Sequence, residues 1–428
     1  MKHVSMKSQR DKLVIEGLVR RSGPLSRSEI HKFTNLQQSE ISRLVRELIE
    51  EGKLLEAGRA GNPLGRKQVL LRFNEDQRFI IGIGFDDENV LAAVTNLHPR
   101  IKSEVREATC LTEGAEGLIQ QIISCARKAL NEAQIGLENV MGIGVAASGL
   151  VDSRRGVLLM SSTLDFLKDA PIQQALEENF GVPTILENLT RAKTVGEWRL
   201  GAGDMADDLI FVEYGRTGIG AGIVLGGKLV HGSGFAAGEF GHTHMAEDGP
   251  ACKCGSFGCL EAVAGAAALE ARIRKAVAEG SSSEALALAG GDPQKITGWM
   301  VLEAARKGDK TCAILVEQIG TYLGLGLANL VNLFNPTVLV IDQRLKLAGE
   351  GLLDRITKVV RRQALGHATR NLTIRFGKLG NEAIVLGVGS IVLEKYFEIP
   401  VLRPPRFMIE PLSASEKPAL NGRTSQVF

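Results

Sequence analysis

Gly238-Glu239-Phe240-Gly241-His242, followed by Cys252-Lys253-Cys254-Gly255-Ser256-Phe257-Gly258-Cys259-Leu260-Glu261, is the stretch on which the reading of this chain turns. One His and three Cys fall within eighteen positions, flanked by two carboxylates, Glu239 and Glu261. Zinc favours four such soft or borderline donors in a closed tetrahedral structural site. His242, Cys252, Cys254 and Cys259 supply four, which leaves no position for a catalytic water. Their CxC and Cx4C spacings depart from the commoner CxxC pairs, so a loop with chance thiols is the competing reading. Inert thiols usually sit singly on apolar faces, whereas these lie among Gly, Ser and Lys. His244 is a second imidazole that could replace His242 on spacing alone.

The rest of the chain bounds the problem. At 428 residues it exceeds one ordinary hydrophobic core, so two or three domains are expected. A hydrophobic content of 44% and a charged content of 23% are those of a soluble globular protein. We read no uninterrupted apolar run of the roughly 20 residues a membrane helix needs, and expect no membrane insertion. Met1 to Arg10 is polar and predicts no secretory leader. Six Cys in so long a chain argue against a disulfide scaffold and for a reducing, cytoplasmic setting.

A net charge of +2 hides an asymmetry. Residues 1–73 hold 15 Lys and Arg against 8 Asp and Glu, a net of +7, and the remainder is −5. A basic first segment on an acidic body points to a nucleic-acid-binding module. Residues 8–20 are helix-like and end at Gly23-Pro24. Ser26, with Glu29 three residues on, predicts a capped short helix over Arg27–Phe33. A third helix comes next, from Gln38 to Glu51. Its apolar set is Ile41, Leu44, Val45, Leu48 and Ile49, and Ser39, Ser42, Arg43 and Arg46 line the other face. Lys53-Leu54-Leu55 and Val69-Leu70-Leu71 bracket a turn-rich basic hairpin. Three helices and such a hairpin make a winged helix-turn-helix. Gln37, Gln38, Ser39, Ser42, Arg43 and Arg46 would face DNA, with Arg59, Arg66 and Lys67 of the hairpin reaching phosphates or a minor groove. A solvated charged helix of a protein-interaction module is the alternative.

From Phe79 the texture is α/β. Strands are predicted near Phe79–Phe85, Val90–Asn96, Val140–Val145, Ile210–Val212, Ile223–Leu225 and Thr337–Ile341. Helices are predicted over Leu118–Glu132, Pro171–Phe180, Ala262–Glu279 and Ile319–Asn335. Strand openings near Phe79 and Ile210 hint at two halves of a duplicated fold. Gly215-Arg216-Thr217-Gly218-Ile219-Gly220-Ala221-Gly222 is either a phosphate-cradling loop or a tight turn between buried strands.

Together these motifs resemble the ROK family, named for repressors, open reading frames and kinases, over about residues 8–398. The 238–261 stretch is similar to the family's sugar-and-zinc signature, and the first module resembles that of its repressor branch. The resemblance implies an actin/hexokinase-like body of two α/β lobes with sugar between them. It favours His242 over His244 and implies that one ring nitrogen meets zinc and the other a sugar hydroxyl. Glu239, Glu261 and Asn188 would complete the ligand set. The expected division is 1–75 (DNA-binding), 76–400 (ligand-binding and dimerising body, zinc loop 238–261) and 401–428 (an extended or disordered tail).

The departures from the family pattern bear on function. The kinases carry an Asp general base where this chain has Leu189, which accepts no proton. Their Gly-Gly-Thr phosphate loop is here Asp86-Asp87-Glu88-Asn89, whose uncompensated charges would repel nucleotide. Their Gly-rich turn at the adenosine is here Asp342-Gln343-Arg344. At the sugar site, Thr163-Leu164 replaces an Asn-Leu pair, and Ala146-Ala147-Ser148-Gly149 a shorter Pro-Gly turn. The expectation is a DNA-binding repressor, not an enzyme, with structural zinc. It would bind duplex operator DNA as a homodimer or dimer of dimers and sense a sugar or sugar phosphate. An ATP-dependent sugar kinase with a DNA-binding module, and a regulator sensing a transport-system protein, are the competing readings.

Overall fold

A computed structural model describes residues 6–60, 68–216 and 218–397. It falls into two compact units, residues 1–74 with 396–428, and residues 75–395. Tyr396 and Phe397, the last described residues, group with the first unit. The segment 401–428, expected to be a tail, lies outside the described residues, as do Arg66 and Lys67.

The first unit contains α1 (Met6–Ser22), β1 (Leu25–Ser26), α2 (Arg27–Thr34), α3 (Gln38–Glu50), β2 (Leu54–Ala60) and β3 (Gln68–Phe73). The capping box forms as the spacing predicts: Ser26 Oγ accepts from the Glu29 amide at 3.3 Å, and the Glu29 carboxylate accepts from the Ser26 amide at 2.8 Å. Asn35, at φ 55°, stops α2 in the left-handed conformation that Asn tolerates. Ile41, Leu44, Val45 and Leu48 of α3 are buried with Ile15, Val19 and Ile30. The strands form an antiparallel sheet, order β1-β3-β2, with a bulge between Glu56 and Arg59. Phe397 joins this unit's core, edge-on to Phe73 at 6.1 Å and beneath the Arg20 guanidinium at 4.7 Å.

The first lobe of the larger unit holds β4 (Phe79–Phe85), β5 (Asn89–Asn96), β6 (Ile101–Ala108), α4 (Gly114–Ala133), β7 (Val140–Ala147), β8 (Leu150–Asp152), β9 (Val157–Met160), β10 (Lys168–Ala170), α5 (Ile172–Phe180), β11 (Thr184–Asn188) and α6 (Leu189–Leu200). The second holds β12 (Leu209–Tyr214), β13 (Ile219–Leu225), β14 (Lys228–Leu229), α7 (Leu260–Ala264), α8 (Ala266–Ala278), α9 (Glu284–Leu288), α10 (Gly298–Arg306), α11 (Lys310–Phe334), β15 (Val338–Ile341), α12 (Glu350–Gln363) and β16 (Thr373–Phe376). α13 (Glu382–Phe397) closes the chain's described part.

The two five-stranded sheets repeat one plan. Their orders are β11-β7-β4-β5-β6 and β16-β15-β12-β13-β14. In each, the opening strand pairs antiparallel with the next and parallel with a later one: β4 with β5 and β7, β12 with β13 and β15. The duplication hinted at by Phe79 and Ile210 is therefore present in the topology. Each lobe has its own apolar core. Between them α6 and α13 pack backbone to backbone. A Cβ at Gly387 would lie 1.9 Å from the Ala192 carbonyl oxygen, so this approach requires Gly.

Two helices differ from expectation. Ala262–Glu279 is not one helix: Gly265 is extended (φ −72°, ψ 169°), and α7 and α8 diverge there. The break leaves Glu261 on the first turn of α7, with its Oε1 3.2 Å from Cys252 Sγ. α11 begins at Lys310, nine residues before Ile319, because Asp309 caps it through the Cys312 amide at 2.9 Å. At 25 residues α11 is long and apolar enough to cross a membrane by length and composition, which the sequence reading missed. Its Leu315, Ile319, Leu323, Leu327 and Val331 are consumed by the second lobe's core.

Candidate functional site

His242, Cys252, Cys254 and Cys259 converge: their ligand atoms all lie within 4.8 Å of one another. Cys259 caps α7, and His242 ends a 3-10 turn over Phe240–His242. The intervening loop is tied by Met245 N donating to Gly258 O at 2.7 Å and Cys252 N to Ser256 O at 2.7 Å. Cys254 and Cys259 sulfurs are 3.8 Å apart. A tetrahedral zinc with ~2.3 Å bonds needs about 3.8 Å between sulfurs, so the spacing fits that ion. His242 turns Nδ1 toward the thiols, 3.6 Å from Cys252 Sγ, and Nε2 toward Glu239, 3.9 Å away. His244 Nδ1 instead lies 3.0 Å from the Phe257 carbonyl, outside the donor set. Hydrogen bonding, first from the Ser256 backbone, holds the Cys254 thiol below its ordinary value, whereas burial and the neighbouring Glu261 push the Cys252 thiol up to about 12. A divalent ion would reverse the latter and release protons on binding.

Glu239 and Glu261 flank the cluster on its other side. Glu261 Oε1 is 3.8 Å from His242 Nδ1 and 3.2 Å from Cys252 Sγ. Glu239 is half exposed. Asn188 is the N-cap of α6. Its amide nitrogen donates to Gly149 O at 2.8 Å, and its oxygen accepts from the Arg191 amide at 3.0 Å. Thr163 turns to Ser161, hydroxyl to hydroxyl, at 3.4 Å.

The glycine-rich segment is explained by packing. β13 runs so close to α6 that a Cβ at Gly222 would meet Thr194 Oγ1 at 1.7 Å. Thr217 lies outside the described residues. Leu189 is buried with Ala146, Ala192, Ile384 and Val388 and offers no proton acceptor. Asp86, Asp87 and Glu88 are in the β4–β5 turn, and their charge, expected to be uncompensated, is compensated in part. Arg216, across the cleft in the β12–β13 turn, pairs with Asp87 and, at 2.8 Å, with Glu88. Asp86 Oδ1 accepts from the Glu88 and Asn89 amides, both at 2.8 Å, which closes the turn.

Behind this pair lies a cavity of about 200 Å³, lined by residues including Phe85, Asp86, Leu189, Trp299 and Arg344. Two of its lining residues, Lys193 and Arg344, belong to a buried ion network. Glu213 binds Lys193 at 2.5 Å and Arg344 at 3.4 Å, and Arg344 also binds Asp342 at 2.7 Å. Burial alone would raise the carboxyls of Glu213 and Asp342, but Lys193 and Arg344 hold both below the usual range. One signal was available in the sequence: Glu213 interrupts the otherwise apolar run Leu209–Tyr214.

On the first unit, Gln37, Gln38, Ser39, Ser42, Arg43 and Arg46 are all exposed, as is Arg59. Ser42 donates to the Gln38 carbonyl at 2.8 Å, and Arg43 pairs with Glu47 at 2.6 Å.

Fold and site together define a class: a winged helix-turn-helix protein carrying a two-lobed, hexokinase-like body. The chain belongs to the ROK family, whose pattern matches residues 80–395. It is 29% identical over 392 residues to the xylose repressor of Caldicellulosiruptor bescii, covering 92% of this chain and 97% of that one. A solved ROK family transcriptional regulator, described as a homolog of the E. coli MLC protein, superposes with TM-score 0.78 at 24% identity, over 92% of this chain and 97% of its own. A ROK family glucokinase from Streptomyces griseus, solved with glucose and AMPPNP, gives TM-score 0.65 at 32% identity, over 73% of this chain and 98% of its own.

Proposed function

We propose that the chain is a sugar-responsive transcriptional repressor acting in the cytoplasm. The observation that carries this is the free polar face of α3 on a winged helix, joined in one chain to a ROK body. Gln38, Ser39 and Ser42 at the start of α3 suit base edges, and Arg43, Arg46 and Arg59 suit phosphates or guanine. A homodimer, or dimer of dimers, would present two such helices to successive half-sites. Full-length similarity to a protein named xylose repressor supports both the output and a sugar as effector.

In the body, His242, Cys252, Cys254 and Cys259 would hold zinc. The ion would supply positive charge and rigidity, fixing the loop so that Glu239, Glu261 and His242 Nε2 are aimed at ligand hydroxyls. The ligand need only prefer one of two conformations to shift DNA occupancy.

The kinase reading has a specific difficulty. Phosphoryl transfer needs a base at the sugar hydroxyl and room for a charged nucleotide. Leu189 supplies no base. The Arg216 ion pairs and the Glu213–Lys193–Arg344–Asp342 network take up the charges a triphosphate would meet. A protein effector, such as a transport-system component, would be indicated by a response that survives Glu239→Ala and Glu261→Ala. The deciding experiment is duplex binding to the gene's own upstream region, with and without a panel of sugars and sugar phosphates. Turnover of ATP with any hexose would overturn the non-enzymatic part.

A further inference from the structure

Phe235 has φ +60°, a left-handed conformation that a bulky aromatic rarely adopts, and yet it is 7% exposed. Something over-determines it. Its carbonyl accepts from Arg191 Nη1 at 2.9 Å. Its ring stands edge-on to His231 at 6.3 Å and under the Arg154 guanidinium at 5.2 Å. Arg191 and His231 are themselves joined through one carboxylate. Arg191 Nε donates to Glu187 Oε1 at 2.7 Å, and His231 Nε2 lies 2.8 Å from Glu187 Oε2. Ser153 donates to Glu187 at 3.1 Å, and the Asn188 amide at 2.6 Å. Both side chains of the Arg191–Glu187 pair are 4% exposed.

The connectivity gives this assembly its meaning. Glu187 and Arg191 bracket Asn188 at the start of α6, in the first lobe. His231 and Phe235 lead directly into Gly238, Glu239 and His242 of the second. A Cβ at Gly238 would lie 1.8 Å from the Ala221 carbonyl, so the far end of this loop is pinned to β13. The segment 231–238 is thus clamped at one end by the first lobe and at the other by the second lobe's sheet.

We infer that His231 and Phe235 are positioning residues, which set Glu239 and His242 against Asn188 and thereby determine ligand affinity. The inference rests on the ligand site proposed above. Turning the Phe235 carbonyl to Arg191 is what forces its backbone into the left-handed region. The strain is held by the buried Glu187 carboxylate, which burial would neutralise but His231 and Arg191 keep charged.

The test uses zinc-loaded full-length protein. His231→Ala should weaken binding of d-xylose or d-glucose, whichever the wild type binds, by about tenfold, the scale of one lost hydrogen bond to a buried charge. His231→Gln, whose amide can still donate to Glu187, should bind within about twofold of wild type. Zinc content and sugar-free DNA affinity should be unchanged in both. Unaltered sugar affinity in His231→Ala, or equal loss in the two variants, would overturn the assignment. Hydrogen exchange of the 236–242 amides judges the clamp without a ligand. It should be faster in His231→Ala than in wild type and in His231→Gln. If wild type binds neither sugar but the exchange pattern holds, the ligand reading fails and the clamp stands. Equal exchange in all three proteins overturns the clamp itself.

Discussion

Arg43 and Arg46 carry little of the free protein's stability. The Arg43–Glu47 pair is exposed, i to i+4 on one helix, and such pairs contribute about 0.3–0.5 kcal/mol. Removing either Arg should therefore leave thermal unfolding nearly unchanged. Each should weaken specific duplex binding by about 1–3 kcal/mol, roughly 5- to 100-fold. If Arg46 contacts phosphate, Arg46→Ala should also lower the salt slope of binding by about one. Anisotropy titrations at several salt concentrations check both. At the proposed zinc site, Cys254→Ser would replace a candidate thiolate ligand with a neutral hydroxyl. Metal content by mass spectrometry should fall well below one zinc per chain, and the sugar response should be lost. Leu189→Asp is the complementary case. It places a carboxylate at the position where the family resemblance implies the kinases' base, in a wall of Ala146, Ala192, Ile384 and Val388. The expected result is about 2–4 kcal/mol of destabilisation in urea unfolding, with no phosphotransfer from ATP.

Elements with a local cause were readable from sequence, and those with a distant cause were not. α2 is set by Ser26 and Glu29, three residues apart; Ser26→Ala should cost the first unit about 1 kcal/mol, measured as a lowered unfolding midpoint. α3 is set by its 3.6-residue periodicity. The break at Gly265 was missed because Ala-rich sequence on both sides favours helix, and only the path of Glu261 toward the ligand cluster reveals it. α11 was shortened because its first turns, Lys310 to Gln318, mix polar and apolar residues. The ion pair of Arg216 with Asp87 spans 129 positions, and no spacing rule reaches that far. The convergence of His242, Cys252, Cys254 and Cys259 was legible because they cluster in sequence. The clamp around Glu187 was not, since its members run from Ser153 to Phe235 and none makes a motif.

At the scale of the whole body, the buried carboxylates fix how stability depends on acid. Glu187, Glu213 and Asp342 are each held below their ordinary values by cations beside them. A depressed folded-state value means the stabilisation is present above the usual carboxylate range. It is lost as pH falls through that range toward the depressed folded values. The body should therefore unfold more readily on acidification below about pH 4, with neutral pH near the plateau, a trend that melting curves across pH would check. The central claim joins the two units in one activity. Fluorescence anisotropy of zinc-loaded protein on a duplex from its own upstream region, at about 150 mM salt, tests it most directly. The account predicts sequence-selective binding that at least one sugar or sugar phosphate shifts several-fold or more. Binding no tighter than to unrelated duplex, with every sugar without effect, would contradict it.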